Sequence, residues 1–144
     1  MSKVVLTVDD SKVVRTIVGR YLKPFGVDII EAENGEMGLT KARECHPQLI
    51  LLDYNMPVMD GYKTLEALTQ DPTLRQIPVI MLTTEAVAET VMKLVKLGLK
   101  NYITKPFSRQ DLIKKVNTVI HLYEGSEVPS EDLLLAQALA HVRQ

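Results

Sequence analysis

The sequence predicts an α/β fold: a doubly wound, five-stranded parallel sheet carrying five helices, with a short C-terminal helical extension. Three observations predict it. Short runs rich in Val, Ile and Leu recur five times without strict alternation, segments with helical spacing separate them, and Pro, Gly and Asn punctuate the junctions. Runs without alternation mark parallel strands covered on both faces. Strand-then-helix repetition places helices on both faces through right-handed crossovers and gathers functional residues at the C-terminal ends of the strands.

Taken in order, residues 4–8 (VVLTV) form the first strand, and Val13, Val14, Ile17, Val18, Tyr21 and Leu22 make the apolar face of the first helix. Pro24 and Gly26 interrupt the chain before the second strand, 27–30. Asn34-Gly35 precedes a shorter helix with Met37, Leu39 and Ala42 on its apolar face, and His46-Pro47 closes it. The third strand is 49–52, followed by a helix carrying Ala67 and Leu68 that stops before Asp71-Pro72. The fourth strand is 77–82, and Val87, Val91, Leu94 and Val95 give the fourth helix, ended near Gly98. Tyr102-Ile103 marks the fifth strand; Leu112, Ile113, Val116, Val119 and Ile120 mark the fifth helix, with Gly125 as its stop. Residues 126–130 read as a linker, and Ser130-Glu131-Asp132 caps a sixth helix whose stripe is Leu135, Leu139 and Val142. The expected division is therefore an α/β domain over 1–124 and a linker with a C-terminal helix over 125–144.

Composition narrows the function. The 144 residues and 16.2 kDa suit one ordinary domain, 46% hydrophobic and 24% charged. A net charge of -1 and a pI near 6.3 offer no electrostatic footprint for nucleic acid or anionic lipid, so neither is an expected partner. The single cysteine, Cys45, leaves no internal disulfide and fits a reducing compartment. The longest apolar run, 77–82, is far short of the roughly 20 residues of a membrane span, and Asp9 interrupts any signal-peptide core; a cytoplasmic location is expected. His46, His121 and His141 share no metal-ligand spacing, and neither GxGxxG nor GxxxxGK[ST] occurs.

The chemistry sits at strand ends. Asp9-Asp10 ends strand one, Asp53 strand three, Thr83 strand four and Lys105 strand five. If strands one and three are neighbours, all of them face one crevice at the topological switch point. Three carboxylates held a few ångströms apart raise one another's pKa unless a cation is bound. Oxygen-only ligands with room for water and a phosphate oxygen describe Mg²⁺. Beside that metal and Lys105, Asp53 could attack a phosphoryl group and keep it as an acyl phosphate, with Thr83 donating to a phosphoryl oxygen.

These residues carry a resemblance. From about Lys3 to Glu124 the chain resembles the receiver domain of bacterial two-component response regulators, and most of all the stand-alone chemotaxis type, through Asp9-Asp10-Ser11, Asp53-Tyr54-Asn55-Met56-Pro57, Asp60-Gly61, Thr83, Tyr102 and Lys105-Pro106-Phe107. The resemblance implies a flavodoxin-like strand order, 2-1-3-4-5, and a phosphorelay switch in which Asp53 accepts phosphoryl from the phosphohistidine of a histidine kinase or phosphotransfer protein. It implies Mg²⁺ held by Asp10, Asp53 and the backbone carbonyl of Asn55, with Asp9 reaching it through water. It further implies that Lys105 pairs with the phosphoryl group and that its bond to Pro106 is cis. On phosphorylation Thr83 would move toward the new oxygens and Tyr102 turn inward, altering the helix 4, strand 5 and helix 5 face that meets a downstream protein target. Such a protein catalyses only its own phosphorylation and dephosphorylation.

The chain departs from the family in two places. Thr84 stands where many relatives have Ala or Gly, which narrows access to the phosphoryl group, and Leu99-Lys100 follows Gly98 where Ala is usual. Asn55, Thr84 and Glu85 are the residues expected to set phosphoryl lifetime. Two rival readings exist. A Mg²⁺-dependent aspartyl-phosphate phosphatase would need an acid where Asn55 stands, since an amide cannot take the proton; a phosphorylation-independent docking scaffold would tolerate loss of an acid or of the lysine, and none is lost. The tail stripe is expected to pack on its own domain, with a phosphorylation-dependent dimer or a recruited partner as the other roles open to it.

Overall fold

A computed structural model of the chain describes residues 3–84 and 87–122. The strands β1 (Lys3–Val8), β2 (Val27–Ala32), β3 (Leu49–Asp53), β4 (Val79–Thr83) and β5 (Asn101–Thr104) form one parallel sheet in the order β2-β1-β3-β4-β5. The intervening helices are α1 (Lys12–Leu22), α2 (Gly35–Cys45), α3 (Gly61–Gln70), α4 (Ala88–Lys96) and α5 (Arg109–Asn117). The expected fold class and strand order hold. Among the described residues no helix is long and apolar enough to cross a membrane.

The missing alternation in the strands has its reason in the two core layers. Successive strand side chains point to opposite faces, and here both faces are covered. Leu6, Ile50, Leu52 and Met81 pack with α2, α3 and α4 through Leu39, Leu65, Leu68 and Leu94. Val5, Leu49, Leu51, Ile80 and Leu82 pack with α1 and α5 through Val18, Leu22, Leu112 and Val116. All the helices but α4, whose N-cap is the apolar Val87, start where short polar side chains satisfy their first N–H groups. Ser11 caps α1, Asn34 caps α2, Asp60 accepts from the Lys63 N–H at 2.9 Å, and Ser108 and Asp111 form a capping box on α5.

Several boundaries and faces differ from expectation. β4 begins at Val79, not at 77, because Pro78 has no N–H for the ladder; its carbonyl still accepts from Ile50 N at 3.0 Å. α5 ends at Asn117, so Val119, Ile120 and His121 follow the helix instead of lying on it. Of the expected face of α4 only Leu94 is buried, while Val87 and Val95 are exposed, as is Met37 on α2. Periodicity identified these helices correctly, but which apolar groups are covered depends on what stands opposite. Glu85, Gly125, the linker and the sixth helix lie outside the described residues, as does the division at 124/125.

Candidate functional site

Parallel pairing in register carries the functional side chains to one edge. Val8 pairs with Leu52, Asp53 with Leu82, and Thr83 with Thr104, so Asp9, Asp53, Thr83 and Lys105 leave the sheet side by side. Backbone bonds extend the alignment past the strands: Asp9 N donates to Ala32 O at 3.0 Å, Tyr54 N to Leu82 O at 2.8 Å, and Lys105 N to Thr83 O at 2.7 Å. The Lys105–Pro106 peptide bond is cis.

Carboxylate oxygens of Asp9, Asp10 and Asp53 all lie within 4.8 Å of one another. Asp9 and Asp53 are buried, at 0% and 2% exposure, and Asp10 is exposed. The Lys105 ammonium stands between the two buried acids, 3.0 Å from Asp9 Oδ2 and 2.9 Å from Asp53 Oδ1. Burial pushes the Asp53 carboxyl up to about 6; the Lys105 hydrogen bond opposes this, and the charge of Asp9 adds to it. Burial pulls the Lys105 ammonium down, but the hydrogen bonds and charges of Asp53 and Asp9 together outweigh it and hold it above its ordinary value. Among the described residues one ammonium stands against three carboxylates, which leaves the pocket short of positive charge.

The remaining residues of the site set its shape. Asp53 Oδ1 also accepts from Asn55 N at 3.3 Å, so among the described residues Lys105 and Asn55 both donate to this one oxygen. Thr83 is buried at the end of β4, and Thr84 donates to the Asn55 side-chain carbonyl at 3.2 Å across the mouth. Gly61 is required by close approach: a Cβ there would stand 2.6 Å from Tyr54 Cα and 2.7 Å from Asp53 O, both backbone atoms. The start of α3 is thus pressed against the end of β3. Tyr102 is 36% exposed on β5, pointing outward and not into the core.

Sequence reasoning missed Arg15. Its Nη1 donates to the Asp9 carbonyl at 2.6 Å and its Nε to Glu31 at 2.9 Å, which ties the turn bearing the acids to α1 and β2. Ser11 N, donating to Asp9 Oδ1 at 2.9 Å, completes the hold on Asp9. An arginine on the polar side of an amphipathic helix gives no signal in the sequence that it turns back toward a strand end.

With this geometry in place, comparison with known proteins decides the family. Residues 5–117 match the model of the response regulator receiver domain. The chain belongs to that family. Chemotaxis protein CheY1 of Helicobacter pylori is 36% identical over 117 residues, 80% of this chain and 94% of that protein. The structure of Vibrio cholerae chemotaxis protein CheY4 matches with a TM-score of 0.79 at 32% identity, over 83% of this chain and 100% of that one. The receiver domain of sensor histidine kinase PA1611 from Pseudomonas aeruginosa, solved with a magnesium ion coordinated in the active site cleft, matches with a TM-score of 0.75 at 25% identity, over 83% and 98%. This receiver domain is a phosphorylation-activated switch of two-component signalling, of the chemotaxis type.

Proposed function

We propose that Asp53 is the phosphoacceptor, that a histidine kinase or phosphotransfer protein is the donor, and that the reaction requires Mg²⁺. The observation that carries this reading is the placing of the buried Asp53 carboxylate against Lys105 at 2.9 Å, with two further acids within 4.8 Å. The donor set among the described residues fits a hard divalent cation: three carboxylates, no sulfur or imidazole, and an exposed Asp10 on the open side. Asp10, Asp53 and the backbone carbonyl of Asn55 would hold it, with Asp9 reaching it through water. Bound there, Mg²⁺ would supply the positive charge that Lys105 alone cannot, and favour an ionised Asp53. The magnesium in the PA1611 receiver domain supports the same assignment.

The chain's own groups account for the transfer. Asp53 Oδ2 attacks the phosphorus of the phosphohistidine; the new O–P bond forms as the P–N bond breaks and its electrons return to the imidazole. Lys105, fixed by Asp9, stays beside Asp53 Oδ1 and faces the incoming phosphoryl charge, and Thr83 donates to a phosphoryl oxygen. Withdrawal of Thr83 toward the phosphoryl group would make room for Tyr102 to turn inward and repack the α4, β5 and α5 face, which in turn governs binding of a downstream protein. The Thr84–Asn55 bond, with Glu85 beside it in sequence, bears on how water reaches the acyl phosphate. In this reading the protein catalyses only its own phosphorylation and dephosphorylation, works in the cytoplasm, and confines the switch to residues 1–124.

Intact-protein mass spectrometry after acetyl phosphate, with and without Mg²⁺, tests the proposal on the native chain and on Asp53→Asn. A metal-dependent phosphoryl adduct on the native chain alone is expected. An adduct that persists in Asp53→Asn would overturn the assignment. No adduct, together with partner binding indifferent to Asp53→Asn, would favour the docking scaffold, and steady turnover of p-nitrophenyl phosphate would favour the phosphatase.

A further inference from the structure

We propose that the C-terminal segment, residues 131–142, docks in cis into an apolar groove at the sheet edge opposite the acids. The groove encloses about 470 Å³ between α3, the start of β4, the α4–β5 turn and the turn after α5. Ile77, Leu97 and Val119 line it and are only half-buried, while Arg75 and Lys100 stand exposed at its rim; none of the described residues that line it is acidic. It lies where the two core layers meet, since Ile77 and Leu97 pack on one and Val119 on the other.

Three facts select the occupant. The chain leaves the domain at this same edge: the Lys3 ammonium, at the start of β1, donates to the His121 carbonyl, and Leu122 N donates to Asn117 Oδ1 at 3.0 Å. Eight residues then lie between Leu122 and Glu131, and the nine steps from one to the other can extend about 30 Å. The distance from β1 to β5 is three strand spacings of about 4.8 Å each, well within that reach. Charge is complementary, because residues 123–144 contain four acids and one arginine, and Glu131-Asp132 directly precedes Leu133-Leu134-Leu135. Leu135, Leu139 and Val142, at helical spacing, supply an apolar stripe for Ile77, Leu97 and Val119, with Glu131 and Asp132 facing Arg75 and Lys100. Occupancy would hold the α4–β5 turn, the segment that feeds Tyr102 into the sheet. The docking does not depend on the assignment of Asp53.

Hydrogen exchange on the full chain tests it, comparing the native protein with Leu135→Asp/Leu139→Asp. Exchange in residues 97–101 and 118–122 should be about tenfold faster in the variant, with the domain still folded by circular dichroism and its melting lowered by only a few degrees, as loss of a docked segment requires. Arg75→Glu/Lys100→Glu should give the same loss, and adding Glu131→Lys/Asp132→Lys should restore the protection. Equal exchange in native and Leu135→Asp/Leu139→Asp chains would overturn the proposal, as would failure of the charge reversal to rescue. Protection that grows with protein concentration, accompanied by a doubled mass in light scattering, would assign the groove to a second copy instead.

Discussion

The two edges of the sheet obey opposite rules. At the C-terminal edge, Asp9 and Asp53 are buried against a single ammonium, Asp53 is driven up to about 6, and the exposed, β-branched Val58 adopts a left-handed φ of 69° nearby. At the other edge, the strands begin among Leu49, Leu74, Ile80 and Leu99, all buried, and no acid lines the adjoining groove among the described residues. Stability is built at one edge and diminished at the other. The acids are held at a cost, and in the proposed function that cost is returned, because buried like charges gain from a cation and from a transferred phosphoryl group.

Substitutions at the two edges should therefore separate stability from chemistry. Leu74→Ala, which empties a fully buried site at the apolar edge, should cost about 2–5 kcal/mol in denaturant unfolding while leaving the Mg²⁺-dependent phosphoryl adduct intact. Loss of the adduct in that variant would break the comparison. Asp53→Asn should do the reverse, abolishing the adduct while raising stability at pH 7.5 by about 1–3 kcal/mol, because a buried charge that repels Asp9 is removed. A destabilised Asp53→Asn protein would show that the Lys105 ion pair outweighs the burial of the charge.

The pH dependence sharpens the same point. The Asp53 carboxyl is raised from 3.8 to about 6 in the folded chain, so folding favours its protonated form. That contribution is full below about pH 4 and is lost as pH rises through 6. Metal-free protein should therefore lose stability from this group between pH 4 and 7, a decline absent in Asp53→Asn and offset by millimolar Mg²⁺ if the cation binds the ionised site. Thermal melts across pH, with and without the metal, measure it. Gly61→Ala should cost about 1–3 kcal/mol despite its distance from the apolar edge, since its Cβ meets backbone atoms that cannot yield. The smallest effect is expected for Glu31→Gln, below about 1 kcal/mol in stability, because Glu31 is half-exposed at its end of the Arg15 pair; a weaker Mg²⁺ affinity by calorimetry would show that the pair orients the Asp9 turn.

Much of this was legible in the residues. Five apolar runs without alternation could only be strands covered on both faces, and Asp9, Asp10, Asp53, Thr83 and Lys105 each stood at the end of one. The candidate site followed because parallel strands end at a common edge. Arg15 and the extent of α4 burial were not legible: amphipathic spacing reports which side of a helix is apolar, not what that side meets, so Val87 and Val95 looked like core and lie exposed. Pro78 was visible as a breaker, yet its effect on the start of β4 appeared only once its neighbour in the ladder was known.

Local chemistry and periodicity are written along the chain, and they alone determined the fold class, the strand order implied by the family pattern, and the identity of the acids and the lysine. Distances between residues far apart in sequence are not written there. That Lys105 lies within 3.0 Å of both Asp9 and Asp53, and that an apolar groove opens beside the exit of the chain, were decided by tertiary packing, because only closure of the core brings Lys105 to acids 52 and 96 positions away.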